Sequence, residues 1–128
     1  MDSAVTSDVA AVRAAAQAYC HAVYKAQPEV FETLCHEAFH MVSAGGPEAQ
    51  VWAKSAYLAR VTARDPAQGE PVYDIISIEA DGDMARVKLR VGLTGIFYED
   101  YLGFIRTAGD WKLINKLFRT YHGPATAG

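Results

Sequence analysis

The chain has 128 residues, a formal net charge of −3 at pH 7 and a pI near 5.7. This length predicts a single domain, residues 1–128, that buries about two-thirds of its unfolded surface. The acidic balance provides no broad basic field for nucleic acid, and no stretch has the roughly 18 uninterrupted apolar residues of a membrane span. We therefore expect neither nucleic acid nor a membrane as a partner.

The N-terminal residues and the cysteines indicate the compartment. Asp2 and Asp8 stand where a signal peptide would carry positive charge, which predicts a cytoplasmic protein. Cys20 and Cys35 fall in predicted helices and lack metal-binding spacing. We therefore expect buried apolar thiols rather than a disulfide or a metal site.

The first half of the chain predicts helices. One stripe of a long helix recurs at steps of three and four, and Ser3 or Ser7 would cap that helix while Pro28 ends it. The stripe consists of Val5, Val9, Val12, Ala16, Tyr19 and Val23. A short second helix is predicted at 30–35 and a strand at 38–43.

The second half predicts strands. After a third helix from 48 to about 63 and a loop at 65–71, turn signals divide residues 72–121 into four strands of an antiparallel meander. The turn signals are Asp81-Gly82, Thr94-Gly95 and Gly109-Asp110. Residues 122–128 are predicted to form a frayed tail. Helices followed by a meander are typical of an α+β domain in which three helices cover one face of a curved, mainly antiparallel sheet.

Counting residues outward from the turns assigns side chains to the two faces of the sheet. The apolar, core-facing side would carry Asp74 and Asp100 on either side of Leu89, with roughly 10 Å between the two carboxylates. A two-residue loop in the last hairpin adds Asn115 and Arg119 to this face, whereas a three-residue loop would reverse that strand. The count therefore places polar groups inside an apolar face.

The opposite face is mixed and charged. It pairs Arg90 with Glu99 across two strands, which supports the register because opposite charges stabilise such a position. Its apolar members form a patch larger than a soluble monomer usually exposes, so we expect a homodimer through this outer face. The patch consists of Tyr73, Ile75, Tyr101, Ile105, Ile114 and Phe118.

A buried carboxylate costs several kcal/mol unless it is paired or hydrogen-bonded. One interpretation is that Asp100 pairs with Arg119 near a rim while Asp74 lies at an open sheet edge in water. The other is a cavity under the helices, in which Asp100, Asn115 and Tyr19 contact a ligand. The sequence leaves both interpretations open.

The element order and five sequence blocks resemble a known superfamily, the nuclear transport factor 2-like (NTF2-like) domains, which are cone-shaped α+β folds. Within it, the chain is similar to the bacterial group described as putative lumazine-binding proteins. The blocks are Leu34-Cys35-His36-Glu37-Ala38, Gly69-Glu70-Pro71, Ile76-Ser77-Ile78-Glu79, Tyr98-Glu99-Asp100-Tyr101-Leu102 and Trp111-Lys112-Leu113-Ile114-Asn115-Lys116. The resemblance implies a conical cavity and often a homodimer, but no single activity, because relatives include isomerases, dehydratases, cyclases and binding domains.

Further candidate ligand-binding residues are aromatic or imidazole side chains. Tyr19 would pack in the core or carry its hydroxyl into the cavity, with packing favoured. Tyr98 shares the inner face, and Trp52 would form a wall or a stacking surface. His40 faces inward in one phase of the predicted strand. His36 and His40 straddle a helix-to-strand boundary, so histidines that bond to backbone or lie at the pocket rim are favoured over a metal pair.

Two functions follow from these residues. The first is a pocket that binds a small hydrophobic or heteroaromatic molecule, with Asp100 and Asn115 as orienting partners. The alternative is an acid/base enzyme without a cofactor, in which Asp100 or Asp74 transfers a proton while Asn115, Tyr19 or His40 polarises the substrate oxygen. Binding is favoured because the sequence has no nucleophile or metal array that compels an enzyme.

Overall fold

The structure, a computed structural model, describes the backbone of residues 2–93 and 95–122 and the side chains of 6–93 and 95–122. Its helices are α1 (Asp2–Lys25), α2 (Pro28–Leu34) and α3 (Lys54–Thr62). Its strands are β1 (Cys35–Ser43), β2 (Gln50–Ala53), β3 (Tyr73–Asp81), β4 (Met84–Leu93), β5 (Ile96–Thr107) and β6 (Asp110–Tyr121). The predicted tail after His122, Thr94 of the second turn and the side chain of Val5 lie outside the described residues.

The strands form one mixed sheet in the order β2-β1-β6-β5-β4-β3. Only the β1–β6 pair is parallel among the described strands. The helices cover one face, and the core between them includes Val12, Phe31, Phe39, Leu89, Phe104 and Leu113. The prediction of an α+β fold with three helices on a mainly antiparallel sheet is confirmed. No helix in the described part of the chain is both long and apolar enough to cross a membrane.

Helix α1 follows the predicted stripe where side chains are described. Val12, Ala16, Tyr19 and Val23 are all buried. Ser3 and Ser7 lie inside the helix, so neither caps it, and that prediction is wrong. Pro28 opens α2, where its missing N–H leaves no hydrogen bond unmade.

Two predicted helices give way partly to strands. Cys35 begins β1 instead of ending α2, and the start of the predicted third helix is the short strand β2, in which Trp52 pairs with Met41. Helix α3 begins only at Lys54, whose buried ammonium group donates hydrogen bonds to the carbonyls of Glu32 (2.9 Å) and Cys35 (3.0 Å). Pairing with β1 therefore overrides the broad helical pattern of residues 48–53.

The register of β4 and β5 is as predicted. Leu89 lies opposite Asp100, and Arg90 and Glu99 form an ion pair at 3.2 Å. In the β3–β4 hairpin the two-residue loop is Gly82-Asp83 rather than Asp81-Gly82, because Asp81 pairs with Met84. That change shifts the register by two residues and leaves the faces near the turn as predicted.

A β-bulge in β3 reverses one prediction. The register shifts between Ile75 and Ser77, and beyond the shift Asp74 lies opposite Arg90 on the outer face. One extra residue in a strand inverts the faces beyond it, so the inward placement of Asp74 is wrong. The same inversion brings Tyr73 and Ile75 into contact with the core.

A second bulge in β6 has a larger effect on the inner face. The β5–β6 register shifts at Ile114, after which Asn115 and Arg119 lie on the outer face. Their predicted inward placement is wrong for the same reason. Lys116 and Phe118, which the count had placed outside, now face the helices.

The bulges also change the outer face. Three residues of the predicted dimer patch lie on the inner side, namely Tyr73, Ile75 and Phe118. A different apolar line crosses four neighbouring strands on the outer side, in which each residue is the pairing partner of the next. This outer row consists of Val51, Val42, Leu117 and Tyr101.

Candidate functional site

A carboxyl group lies inside the core. Asp100 on β5 is fully buried, and the hydroxyl of Tyr19 on α1 donates a hydrogen bond to its Oδ2. Its Oδ1 is buried without a hydrogen-bond partner among the described residues. Burial raises the pKa of Asp100, and the positive charge of Lys116 together with the Tyr19 hydrogen bond opposes that rise.

A lysine amine lies close enough to this carboxyl group for their charges to interact. Lys116 on β6 is only 7% exposed, and its Nζ donates a hydrogen bond to the Tyr57 hydroxyl at 3.4 Å. Three rings surround the amine, with Nζ 5.2 Å from the Tyr19 centroid and 5.0 Å from those of Tyr57 and Phe118. Cation–π attraction and the tyrosine oxygen therefore replace water around Lys116.

The charges around Lys116 act in opposite directions. Burial lowers its pKa, the negative charge of Asp100 raises it, and the positive charge of Arg64 lowers it further. We call Asp100, Tyr19, Tyr57 and Lys116 the buried polar cluster.

A pocket of about 290 Å³ lies beside the cluster, between the end of α3, α1 and the inner face of β5 and β6. Its apolar walls are Val23, Met41, Val61, Leu93 and Phe118, and its polar groups come from Tyr57, Arg60, Arg64, Tyr98 and Lys116. Asp100 and Tyr19 do not line it. Tyr57 and Lys116 belong to both the pocket and the buried polar cluster, so they connect the two.

Four of the sequence-predicted site residues lie at or near this pocket. Tyr98 lines it, and Tyr19 and Asp100 lie one side chain behind it. Trp52 packs behind the pocket wall, with its ring 6.1 Å from that of Phe118 and under the guanidinium of Arg60 at 4.8 Å.

The remaining predicted site residues lie on the outer face. Arg119 binds Glu99 at 2.9 Å, so the predicted pairing of Arg119 with Asp100 is wrong. The hydrogen bonds from Arg119 hold the pKa of Glu99 below its usual range. Asn115 covers Gly103, and Asp74 lies opposite Arg90.

The histidines of β1 bond to backbone. His36 Nδ1 accepts a hydrogen bond from the Ala38 N–H at 3.0 Å, and His40 Nδ1 lies 2.9 Å from the Ala38 carbonyl. His40 is exposed on the outer side of the strand, so its inward placement is wrong. The interpretation of both as backbone-bonded histidines is confirmed.

The cysteines are free and buried, as predicted. Burial raises the pKa of Cys35 to about 12, and it raises the pKa of Cys20 as well. Neither thiol therefore ionises near neutral pH. Within the described residues, no group of three or more His, Cys, Asp or Glu side chains could hold a metal ion.

Sequence reasoning missed four residues of the site, namely Tyr57, Arg60, Arg64 and Lys116. Arg60 and Arg64 are four residues apart, a spacing that places two side chains on one side of a helical turn. That spacing is a signal the sequence does carry. Lys116 had no comparable signal, because only the bulge turns it inward.

Solved structures of three bacterial proteins are similar in fold. An NTF2-like protein of unknown function from Silicibacter pomeroyi has a TM-score of 0.83 and 21% identity, over 91% of this chain and 98% of that one. An NTF2-like protein of unknown function from Shewanella baltica has a TM-score of 0.83 and 13% identity, over 92% and 97%. A ketosteroid isomerase-like protein from Erwinia carotovora atroseptica has a TM-score of 0.72 and 19% identity, over 91% and 98%. At these identities the likeness shows the NTF2-like fold alone.

No curated protein matches the chain. A family model described as "Putative lumazine-binding" matches residues 7–119. The matched segment includes the buried polar cluster and every residue that lines the pocket. With its NTF2-like fold and this match over most of its length, the chain belongs to the putative lumazine-binding family.

Proposed function

We propose that the pocket beside Lys116 binds a small hydrophobic or heteroaromatic molecule. The main support is that the pocket combines apolar walls with a few convergent polar groups, an arrangement typical of small-molecule sites. A volume of about 290 Å³ is at the lower end of ligand pockets, so a molecule of one to three rings fits best. The family description points in the same direction, towards a small heteroaromatic compound.

Aromatic side chains would hold the rings of such a ligand. Tyr98 and Phe118 pack edge to face with centroids 5.7 Å apart, and both line the pocket. Flat molecules stack on or against such rings with about 0.5–1.5 kcal/mol beyond the area they bury. Tyr57 and Lys116 are then available to donate hydrogen bonds to ring heteroatoms of the ligand.

A second candidate is an acid/base enzyme that uses Asp100. The orphan Oδ1 and the raised pKa of this carboxyl group support it, because a proton-transfer group works best with a pKa near the working pH. Asp100 does not line the pocket, so a proton would have to pass through Lys116 or Tyr57. Because the enzyme requires this extra step and binding does not, a binding function is favoured.

The test is calorimetric titration of the protein with lumazine, together with native mass spectrometry of the purified protein to detect retained molecules. Ala63→Trp fills the pocket from an exposed position that lines it, whereas Ala59→Trp adds the same ring on α3 away from the pocket. We expect saturable lumazine binding or a retained heteroaromatic molecule in the wild type and in Ala59→Trp, and neither in Ala63→Trp.

The outcomes separate the candidates. Binding that Ala63→Trp leaves unchanged, or no binding and no retained molecule at all, would contradict the pocket proposal. Catalytic consumption of the bound molecule, lost in Asp100→Asn, would establish the second candidate instead.

We also propose that the protein forms a homodimer through the outer row. The dimer rests on the exposure of the row, in which Val51 is 61%, Tyr101 46% and Leu117 45% exposed. A two-fold contact would bury the row of one copy against that of another.

A further inference from the structure

The pocket is strongly positive. Arg60 and Arg64 enter it from the end of α3, and Lys116 enters it from β6 on the opposite wall. None of the described residues that line it is an aspartate or a glutamate. Three cationic side chains thus converge on a small volume in a chain whose net charge is −3.

Apart from Arg13, which is exposed on α1, the arginines of the described chain that lie outside the pocket form ion pairs with carboxylates. Their ion pairs are Arg86 with Glu79, Arg90 and Arg119 with Glu99, and Arg106 with Asp8. By contrast, no carboxylate of the described chain lies within 4.0 Å of the cationic groups of Arg60, Arg64 or Lys116. Arg60 stacks on Trp52, and Arg64 Nη1 donates to the Val23 carbonyl at 3.0 Å. The pocket therefore concentrates positive charge that no described carboxylate neutralises at contact distance.

This arrangement is unfavourable for an empty pocket. Lys116 gives up most of its hydration, and the positive charge of Arg64 acts on it through a partly dry environment. The negative charge of Asp100 compensates from one side only, because Asp100 lies behind Lys116 and not in the pocket. A negative group bound between Arg64 and Lys116 would offset the repulsion from the other side and form charge-assisted hydrogen bonds.

We infer that the ligand carries an oxyanion group, such as a carboxylate or sulfonate, which Arg64 and Lys116 bind while its rings pack against Tyr98 and Phe118. Arg60, exposed at the mouth, attracts the anion as it enters. This inference rests on the proposed function, because it assigns the charge of the molecule that the pocket binds.

Two fluorescent probes test the inference because they differ only in the anionic group. 8-Anilinonaphthalene-1-sulfonate carries a sulfonate, and N-phenyl-1-naphthylamine is the same ring system without it. We expect the sulfonate probe to bind the wild type with a Kd at least about tenfold lower than that of the neutral probe. Raising the salt concentration should weaken binding of the sulfonate probe and leave the neutral probe unchanged.

Variants locate the effect. Arg64→Met and Lys116→Met should each raise the Kd of the sulfonate probe about tenfold and leave that of the neutral probe within about twofold. Arg13→Met, which removes one positive charge from the exposed side of α1, should change neither. Circular dichroism checks that each variant folds. Arg64 is partly exposed, so the Arg64→Met variant still tests the inference if substitution of the buried Lys116 prevents folding.

The results distinguish this inference from the proposed function. Equal affinity of the two probes for the wild type, or a sulfonate preference that survives in Arg64→Met, would overturn the anionic ligand and leave the pocket function standing. If neither probe binds in a way that Ala63→Trp blocks, both the proposed function and this inference are overturned.

Discussion

Asp100 and Lys116 place a carboxyl group and an amino group in the same apolar core. Burial favours the neutral form of each, while the charge of one favours the charged form of the other. Two groups that interact in this way titrate as a unit, and a change at one alters the other. At the scale of single residues, the protonation of this pair therefore links the stability of the core to the charge that faces the pocket.

Asp100→Asn should reveal this linkage as a pH dependence of stability. Because the folded pKa of Asp100 is raised, the folded state binds more protons than the unfolded chain, so the contribution of Asp100 to stability falls as pH rises from about 4 through the raised pKa. We expect the free energy of unfolding of the wild type minus that of Asp100→Asn to decrease over this range, by about 1.4 kcal/mol per unit of pKa elevation. Urea denaturation at a series of pH values measures the difference.

A matched control is Asp110→Asn, because Asp110 is exposed at the start of β6. It makes the same carboxyl-to-amide change at the protein surface. A difference for Asp100→Asn that does not change with pH, or that grows as pH rises, would contradict a raised pKa at Asp100.

At the scale of elements, the bulges in β3 and β6 decide which side chains face the helices. In β6, both possible alternations carry apolar residues, since Leu113 and Leu117 lie on one and Ile114 and Phe118 on the other. Hydrophobic periodicity therefore cannot distinguish a regular strand from one with a bulge. This is why the sequence predicted Asn115 in the position that Lys116 occupies.

Gly103 opposes Asn115 next to the bulge in β6. A Cβ built at Gly103 would overlap Asn115 Oδ1 and lie 2.9 Å from its Cγ. Asn115 is exposed and its side chain can rotate away, so Gly103→Ala should lower the free energy of unfolding by about 0.5–1.5 kcal/mol, the usual cost of forcing a side chain from its preferred rotamer. The double variant Gly103→Ala/Asn115→Ala should recover most of this loss in urea denaturation, because it removes the overlapping side chain.

Gly46→Ala serves as a control, because its Cβ would meet nothing closer than 3.7 Å. It should change stability by less than about 0.5 kcal/mol. If Gly103→Ala and Asn115→Ala have additive effects on stability in the double variant, Asn115 is not the group that restricts position 103.

At the scale of the whole molecule, the features that depend on a few neighbouring residues, such as turns and helix stripes, were predictable from the sequence. The β4–β5 register followed from one glycine turn, and the buried stripe of α1 followed from its spacing. The strand β2 was not predictable, because four residues carry a weak pattern and owe their conformation to pairing with β1. The pocket is likewise a product of assembly, since α3 and β6 supply its charges from distant parts of the sequence.

The proposed homodimer belongs to this scale. Leu117→Lys places a charge in the middle of the outer row, so we expect it to convert a dimer into a monomer, as measured by light scattering at micromolar concentration. Met84→Lys makes the same change at a residue that is 61% exposed but outside the row, and it should leave the dimer intact. A wild-type protein that is monomeric at this concentration would rule the contact out.

The order of the strands has a consequence for aggregation. A sheet that does not close leaves unpaired N–H and C=O groups on its two outermost strands, where other chains can add. Here those strands are β2, which has only four residues, and β3, which is broken by its bulge. Both borders are poor templates for strand addition. The bulge that moves Asp74 out of the core therefore also makes this edge of the sheet a poor site for fibre-like assembly.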